Sequence, residues 1–407
     1  MNAPDTVHPY LRQFPQLGTD PVGIEAVTSP AYFELEREHI FKKMWLNVCR
    51  EQEIPKPNDY LVKDIAILGA SIIVARGEDG VVRAFHNVCR HRGNQVAEGQ
   101  GNAKGFACGF HGWTYDTAGR CQFIPDQEVF FGVDRADMGL VPVRCDTWAG
   151  FVFITVNPDA PPLRQYLGGM ADQLDGFPFH EMVRMHRLQA DVKCNWKVFL
   201  DAFQEGYHAA FVHALTAEGT CAKDSDPYAH AQSVRLHGPH RSVSLPFNTQ
   251  YRPTPAEGVS LKYGTSLFLH EGSTQARFLP GSNPGGHANW LFDINVVFPN
   301  FFVDVAGGWF FTYHFWPVAV DRTHWEYGFY MLPARDAGER ISREFSKVYL
   351  RDLLREDLST VERTQAGLDS GAIREVHLSD QEVAVRHQYA VVDALVHRRP
   401  SPFTTGL

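Results

Sequence analysis

Cys89 and His91 are separated by one residue and Cys108 and His111 by two, with sixteen residues between the pairs in the stretch CRHRGNQVAEGQGNAKGFACGFHGW. Two thiolates and two imidazoles form a metal-ligand set. A structural zinc site takes such a set, but a zinc finger groups its cysteines in one knuckle and its histidines in another. Here each knuckle carries one of each. That suits a binuclear [2Fe-2S] cluster with both thiolates on one iron and both imidazoles on the other, a ligation that raises the reduction potential above that of an all-cysteine cluster. Gly93, Gly105, Gly109 and Gly112 permit tight turns that aim amide N–H groups at sulfur, and Trp113 and Tyr115 are placed to cover the group.

A second constellation lies in WKVFLDAFQEGYHAAFVHAL, residues 196 to 215, which reads as a helix. Glu205 and His208 share a face of it, whereas His213, five residues further on, is rotated away. Both imidazoles reach one metal only if the helix is bent or loosened, as at a π-bulge. Two histidines on an apolar helix are by themselves more often core residues, but a third group changes the balance. In FSKVYLRDLLREDLSTVERTQAGL, Asp357 shares a helix face with Leu353, Leu354 and Val361. A carboxylate buried unpaired in that stripe costs several kcal/mol, so a cation is its natural partner. His208, His213 and Asp357 then make the two-histidine, one-carboxylate triad that leaves positions open on ferrous iron for O₂ and substrate. Glu356 and Asp352 are the competing carboxylates.

The elements that must hold these residues are legible in outline. Residues 27–44 read as a helix, capped by Ser29 with Pro30 in its first turn, and form with the preceding residues a helical arm over 1–44 that packs on a later domain. From 45 to 156 short β-like runs (YLV, AIL, SIIVAR, VVRAF, FVFITV) alternate with turn signals, giving a small antiparallel β domain with the Cys-His pairs in its loops. NPDAPPLRQ, residues 157–165, reads as a linker, and 166–407 as an α+β second domain. Within that domain, 216–262 reads as a long irregular stretch, a candidate lid or pocket wall. Residues 288–332 read as strands, 338–368 as a long helix closed by Gly367, and the tail HRRPSPFTTGL as a loose end or subunit contact.

Composition narrows the partners. At 407 residues with 44% hydrophobic and 21% charged, the chain can bury one large core or two. A net charge of −9 and pI near 6.1, without a basic stripe, argue against nucleic acid and anionic membranes. No apolar run reaches eighteen residues and the start lacks a secretory leader pattern, so a cytoplasmic protein is expected. Seven cysteines, an odd number, favour metal ligation over a disulfide framework.

The CxH…CxxH pattern resembles the cluster motif of Rieske proteins, and HRG after the first pair with FHGWTYD at the second resembles the Rieske domain of the non-haem iron oxygenases that hydroxylate aromatic and other organic molecules. Helical arm, Rieske domain, NWK at 195–197, ExxHxxxxH at 205–213 and the late ED follow in the order of that family's catalytic, or α, subunit, so the resemblance covers essentially the whole chain. It implies an α+β architecture: an N-terminal all-β Rieske [2Fe-2S] domain, then a helix-grip (START-like) catalytic domain in which an antiparallel sheet wraps a helix. It implies mononuclear Fe(II) beside the cluster, and electrons from NAD(P)H delivered by a reductase, with or without a ferredoxin. A homotrimer, with or without a β subunit, is implied too, because in the family the electron crosses between neighbouring subunits.

Glu205 is then the expected bridge between His208 and a neighbour's His91 or His111. Many ring-hydroxylating members carry Asp there, while Glu is commoner among relatives that act on quaternary ammonium compounds or remove N-alkyl groups. The family often has Asn where this chain has Ala202. The aromatic-rich segment 296–331 suits an apolar aromatic or alicyclic small-molecule substrate, and an aromatic cage for a quaternary ammonium group would look similar. The reading from a different class is an electron-transfer or redox-sensing module without catalysis.

Overall fold

The computed structural model describes residues 8–214, 216, 219–221, 226–263, 279–405 and 407. The chain forms two compact units, one of residues 37–166 and the other of residues 1–36 with 167–406. The helix expected over 27–44 is broken. Pro30 has no N–H to donate, so Glu25–Thr28 ends before it; Pro30–Glu36 follows and Arg37–Phe41 closes as a π-turn. Ser29 does cap the second piece, its Oγ accepting from the Tyr32 N–H at 3.3 Å. Residues 37–44 belong to the first unit, where Ile40 and Phe41 are fully buried. Segment 157–165 is tied down as well, since Trp45 Nε1 donates to Pro161 at 2.8 Å and Asn157 Nδ2 to Lys43 at 3.3 Å.

In the 37–166 unit, seven antiparallel strands run in the spatial order Leu46–Arg50, Phe151–Thr155, Pro142–Trp148, Val82–His86, Ala70–Arg76, Asp59–Ile65, Gln100–Asn102. A smaller sheet of Gly105–Ala107, Thr114–Asp116 and Cys121–Phe123 carries the loop of the second Cys-His pair. The AIL run at 66–68 is a single 3₁₀ turn rather than a strand. Ile73, Phe85, Phe106, Trp113, Tyr115 and Leu140 form one core with Cys89 and Cys108, so both sulfurs lie at the inner ends of their loops.

The other unit is built on a seven-stranded antiparallel sheet. Its strands are β1 (Val183–Val192), β2 (Ser233–His237), β3 (His240–Pro246), β4 (Trp290–Val297), β5 (Phe301–Ala306), β6 (Trp309–Ala319) and β7 (Arg322–Met331), in the spatial order β1-β7-β6-β5-β4-β3-β2. Stretch 216–262 is therefore not irregular throughout: it contains the β2–β3 hairpin and a helix, Pro255–Tyr263. Pairing sets one face of the sheet. Phe302 opposite Tyr313, Asp304 opposite Phe311, Leu245 opposite Phe292 and Tyr313 opposite Tyr327 put these side chains on the same side. Two short helices, α1 (Trp196–Asp201) and α2 (Ala209–Val212), and the long α3 (Ala337–Asp369) supply the residues facing that side. Gly367 lies inside α3, and the turn past its end is made at Gly371. A fourth helix, α4 (Val383–Val396), follows, and in the tail Phe403 is buried edge-on against His387 at 4.7 Å. Among the described residues no helix is long and apolar enough to cross a membrane.

The NWK segment binds the arm to this unit. Asn195 caps α1, its Oδ1 accepting from the Lys197 N–H at 3.0 Å. Trp196 Nε1 donates to Glu36 at 2.9 Å, and Lys197 Nζ reaches the same carboxylate at 2.5 Å with both charged side chains fully buried.

Candidate metal centres and the cavity between sheet and helices

Each Cys-His knuckle closes in the same way. The N–H of Gly93 bonds to Cys89 C=O at 3.0 Å and that of Gly112 to Cys108 C=O at 2.9 Å. Both glycines adopt left-handed backbone, φ 82° and 72°, which a side chain at either position would strain. The rings of His91 and His111 come within 4.5 Å of one another, and His91 stacks on Trp113 at 5.2 Å. Tyr115 Oη lies 3.3 Å from Cys89 Sγ. Because it accepts the Arg90 N–H at 3.0 Å, its own proton is free to point at the sulfur. Asn94 Nδ2 lies 3.7 Å from Cys108 Sγ. Burial opposes a thiolate at Cys108, but the N–H groups of Phe110 and His111, with Cys89 and Asn94, outweigh it and hold the thiol below its ordinary value. His91 Nδ1 is a buried nitrogen without a hydrogen-bond partner among the described residues. Paired sulfurs, paired imidazoles and donors aimed at the sulfurs fit a [2Fe-2S] cluster.

The helix expected over 196–215 does not form. Instead α1 stops at Asp201, the chain turns, and α2 begins at Ala209. Glu205 Oε2 takes the backbone N–H of Tyr207 and, at 3.1 Å, that of His208, donors a continuous helix would have used itself. Gly206 sits so close to Ala229 that a Cβ would lie 2.9 Å from its carbonyl oxygen. This break brings the two histidines together, their rings 5.2 Å apart. His208 Nε2 lies 3.6 Å and His213 Nε2 3.0 Å from Asp357 Oδ1, and the three prospective ligand atoms fall within 4.8 Å of one another. Asp357 is 4% exposed, and its Oδ1 receives no properly directed hydrogen bond from any described residue. A buried carboxylate oxygen left in that state beside two imidazoles fits a divalent metal.

The outer ring nitrogens are held by carboxylates. His208 Nδ1 meets Glu205 Oε1 at 2.5 Å, and His213 Nδ1 meets Glu356 Oε2 at 3.0 Å, with Thr216 Oγ1 donating to the other Glu356 oxygen at 2.6 Å. Burial disfavours charge on His208, yet Glu205 and Asp357 outweigh it and lift its pKa to about 9. Asp352 pairs with Arg351 at 2.8 Å. Of the three carboxylates weighed from the sequence, Asp357 alone faces both Nε2 atoms, while Glu356 orients His213, a role the sequence reading did not assign. Behind the turn, Asp201 accepts from Tyr389 Oη at 2.8 Å, Gln204 at 3.0 Å and Gln388 at 3.1 Å, and both glutamines accept from the buried Arg241.

A cavity of about 300 Å³ opens directly onto His208, His213 and Asp357. Phe203, Phe292, Trp309, Phe311, Tyr313 and Tyr349 line it with several leucines, and Ala202 is among the wall residues nearest the histidines in sequence. In the aromatic segment only one face of β6 contributes; Phe310 and Trp316 do not line the cavity. Gly219, Thr220 and Cys221 also contribute to the wall. Asp304, which sequence reasoning missed, lines the cavity too. The only sequence signal for it is a charge at an inward position of an otherwise apolar strand.

An all-β unit with paired Cys-His knuckles and an α+β unit with a two-histidine, one-carboxylate site over an apolar cavity define an iron-dependent oxygenase that is fed electrons through a cluster. Residues 44–138 match the family model of the Rieske [2Fe-2S] domain and residues 179–398 that of the ring-hydroxylating α subunit catalytic domain. The chain belongs to the Rieske non-haem iron oxygenases and is a catalytic α subunit, the terminal oxygenase component. It is 30% identical over 363 residues, 86% of each chain, to the carnitine monooxygenase oxygenase subunit of Escherichia coli (strain K12). It is 38% identical over 191 residues, 45% of this chain and 42% of the other, to the large oxygenase component of the 2,4-dinitrotoluene dioxygenase system of Burkholderia sp. (strain RASC). Its fold is that of naphthalene 1,2-dioxygenase from Rhodococcus sp. bound to indole, with TM-score 0.74, 22% identity, and 96% and 97% of the two chains covered. A quaternary ammonium Rieske monooxygenase in complex with L-carnitine is similar in fold, with TM-score 0.73, 22% identity, and 93% and 97% covered.

Proposed function

We propose that the chain oxygenates a compact, largely apolar organic substrate, aromatic or alicyclic, held in the cavity beside His208, His213 and Asp357. The observation that carries this reading is the exposure of all three prospective ligands on the wall of one aromatic-lined cavity. His208, His213 and Asp357 would hold ferrous iron, while Cys89, Cys108, His91 and His111 would hold the [2Fe-2S] cluster. Bound there, the two centres supply one-electron transfer and O₂ activation, which side chains cannot provide. The chain's residues orient and exclude. Glu205 and Glu356 fix the tautomers of His208 and His213 by occupying their Nδ1 atoms, so that each Nε2 faces the metal. The aromatic walls keep water from the substrate.

Glu205 also serves as the bridge between subunits. A carboxylate offers about four acceptor positions. His208 Nδ1 and two backbone N–H groups take three, leaving one for a neighbour's His91 or His111. Electrons reach the cluster from NAD(P)H through a reductase, with or without a ferredoxin, and a homotrimer is the assembly in which a heterologous contact of this kind closes.

A second reading, oxidative N-dealkylation or hydroxylation of a quaternary ammonium compound, is favoured by Glu205 and by similarity to carnitine monooxygenase over 86% of the chain. Incubation of the reconstituted system with ¹⁸O₂ and a panel of aromatic, steroid-like and quaternary ammonium compounds separates the two by product mass. Hydroxylated or dealkylated product from none of the panel, with both metals in place, would count against the cavity as the substrate site.

A further inference from the structure

Asp304 is a buried carboxyl that the oxygenation chemistry does not use. It is 2% exposed, stands on β5 opposite Phe311, and lines the cavity. Its Oδ1 accepts the Asn295 backbone N–H at 2.9 Å, and no lysine or arginine is found among the described lining residues. Around it is a group of π-faces: Trp309 stacks on Phe311 at 5.1 Å, Phe292 lies 6.0 Å from each, and Tyr313 follows Phe311 at 5.1 Å. Besides Cys221, Tyr313 and Tyr349, the ionisable residues among the described wall residues are two histidines and three carboxylates, and two of those carboxylates, Glu205 and Asp357, are engaged with the histidines. Burial holds the Asp304 carboxyl well above its ordinary range, and the Asn295 N–H only partly offsets it.

A purely apolar substrate gives no reason for a carboxyl at this position, and an anionic one would be repelled by it. A cationic nitrogen satisfies both features of the wall at once. It pairs with the carboxylate in a low-dielectric setting and is attracted by the ring faces on its other sides. The aromatic walls would accommodate the rest of such a molecule. Resting on the proposed use of this cavity for substrate, we infer that Asp304 is a specificity-determining residue whose carboxylate, with Trp309 and Phe311, seats an ammonium nitrogen on the substrate.

The test is titration calorimetry on the metal-loaded protein without reductant, so that nothing turns over. The probes are N,N-dimethylbenzylamine, a cation at neutral pH, and isobutylbenzene, its uncharged counterpart of nearly the same shape. Wild type is expected to bind the amine at least about tenfold more tightly. Asp304→Asn should bring the two affinities close together by weakening only the amine. Equal or weaker binding of the amine by wild type overturns the inference while leaving the cavity assignment standing. The same follows if Asp304→Asn retains the full preference. Should wild type bind neither probe with iron in place, the cavity assignment falls and the inference with it. The wild-type comparison alone decides the matter if the variant does not fold.

Discussion

An oxygen atom that is buried and without a directed hydrogen bond sets the expectation for Asp357. Asp357→Ala is expected to lose the mononuclear iron while retaining the visible absorption of the cluster, checked by iron analysis and optical spectra of one sample; retention of full iron would move the ligand to another carboxylate. Glu356→Gln keeps the shape but weakens the hold on His213, and a loss of about 10- to 100-fold in iron affinity is expected, read by chelator competition. Glu205→Gln should hold both metals and fail to form product; turnover near that of wild type would remove the bridge. Asp201 gives a pH signature. Burial pushes its pKa up to about 7, against hydrogen bonds from Tyr389 and Gln204 and the nearby charge of Arg241. A carboxyl raised in the folded state contributes most below its unfolded pKa and loses that contribution as pH rises through the folded one. Asp201→Asn should therefore gain on wild type between about pH 4 and about pH 7 and hold the gain above, by an amount on the order of a few kcal/mol. Melting temperatures of both proteins at pH 5 and pH 8 check the sign.

At the scale of elements, the buried Glu36–Lys197 pair joins the N-terminal arm to α1, and half of it is worse than none. Lys197→Met removes the cation from the buried Glu36 carboxyl, a loss of about 3–5 kcal/mol, whereas adding Glu36→Gln should restore most of it, because the amide can still accept from Trp196. Thermal midpoints of the single and double variants decide this. Elements also show where the sequence was readable. Density in Phe, Val, Trp and Tyr announced the strands within 288–332, and ligand spacing announced the cluster loops. The break at 202–208 was only half legible. The five-residue spacing of His208 and His213 demanded an irregularity, but the interruption depends on Glu205 capturing two backbone N–H groups and on the closeness of Ala229, which lies more than twenty residues further along the chain. The β2–β3 hairpin was missed because buried polar residues such as His240, Arg241, Ser242 and Ser244 thin the apolar signal of β3 to Val243 and Leu245. The role of Glu356 was hidden for the same reason: only the fold shows that the carboxylate next to Asp357 reaches the far nitrogen of His213.

For the whole molecule, metal content tests the reading most directly. The intact chain should carry about three irons and about two acid-labile sulfides, and a count near two irons in wild type would favour a module that transfers electrons without catalysis. The division of the chain has a further consequence, for biosynthesis. Residues 37–166 are made as one uninterrupted run, so this unit can fold and take up its cluster as soon as it leaves the ribosome. Glu36 has to wait: it meets its partners only after Trp196 and Lys197 have been added, and Asp357 is made still later. The cluster-binding unit can thus be complete before the iron site is even synthesised, and a truncated nascent chain ending before α1 would hold the cluster's proposed ligands but none of those for activating oxygen.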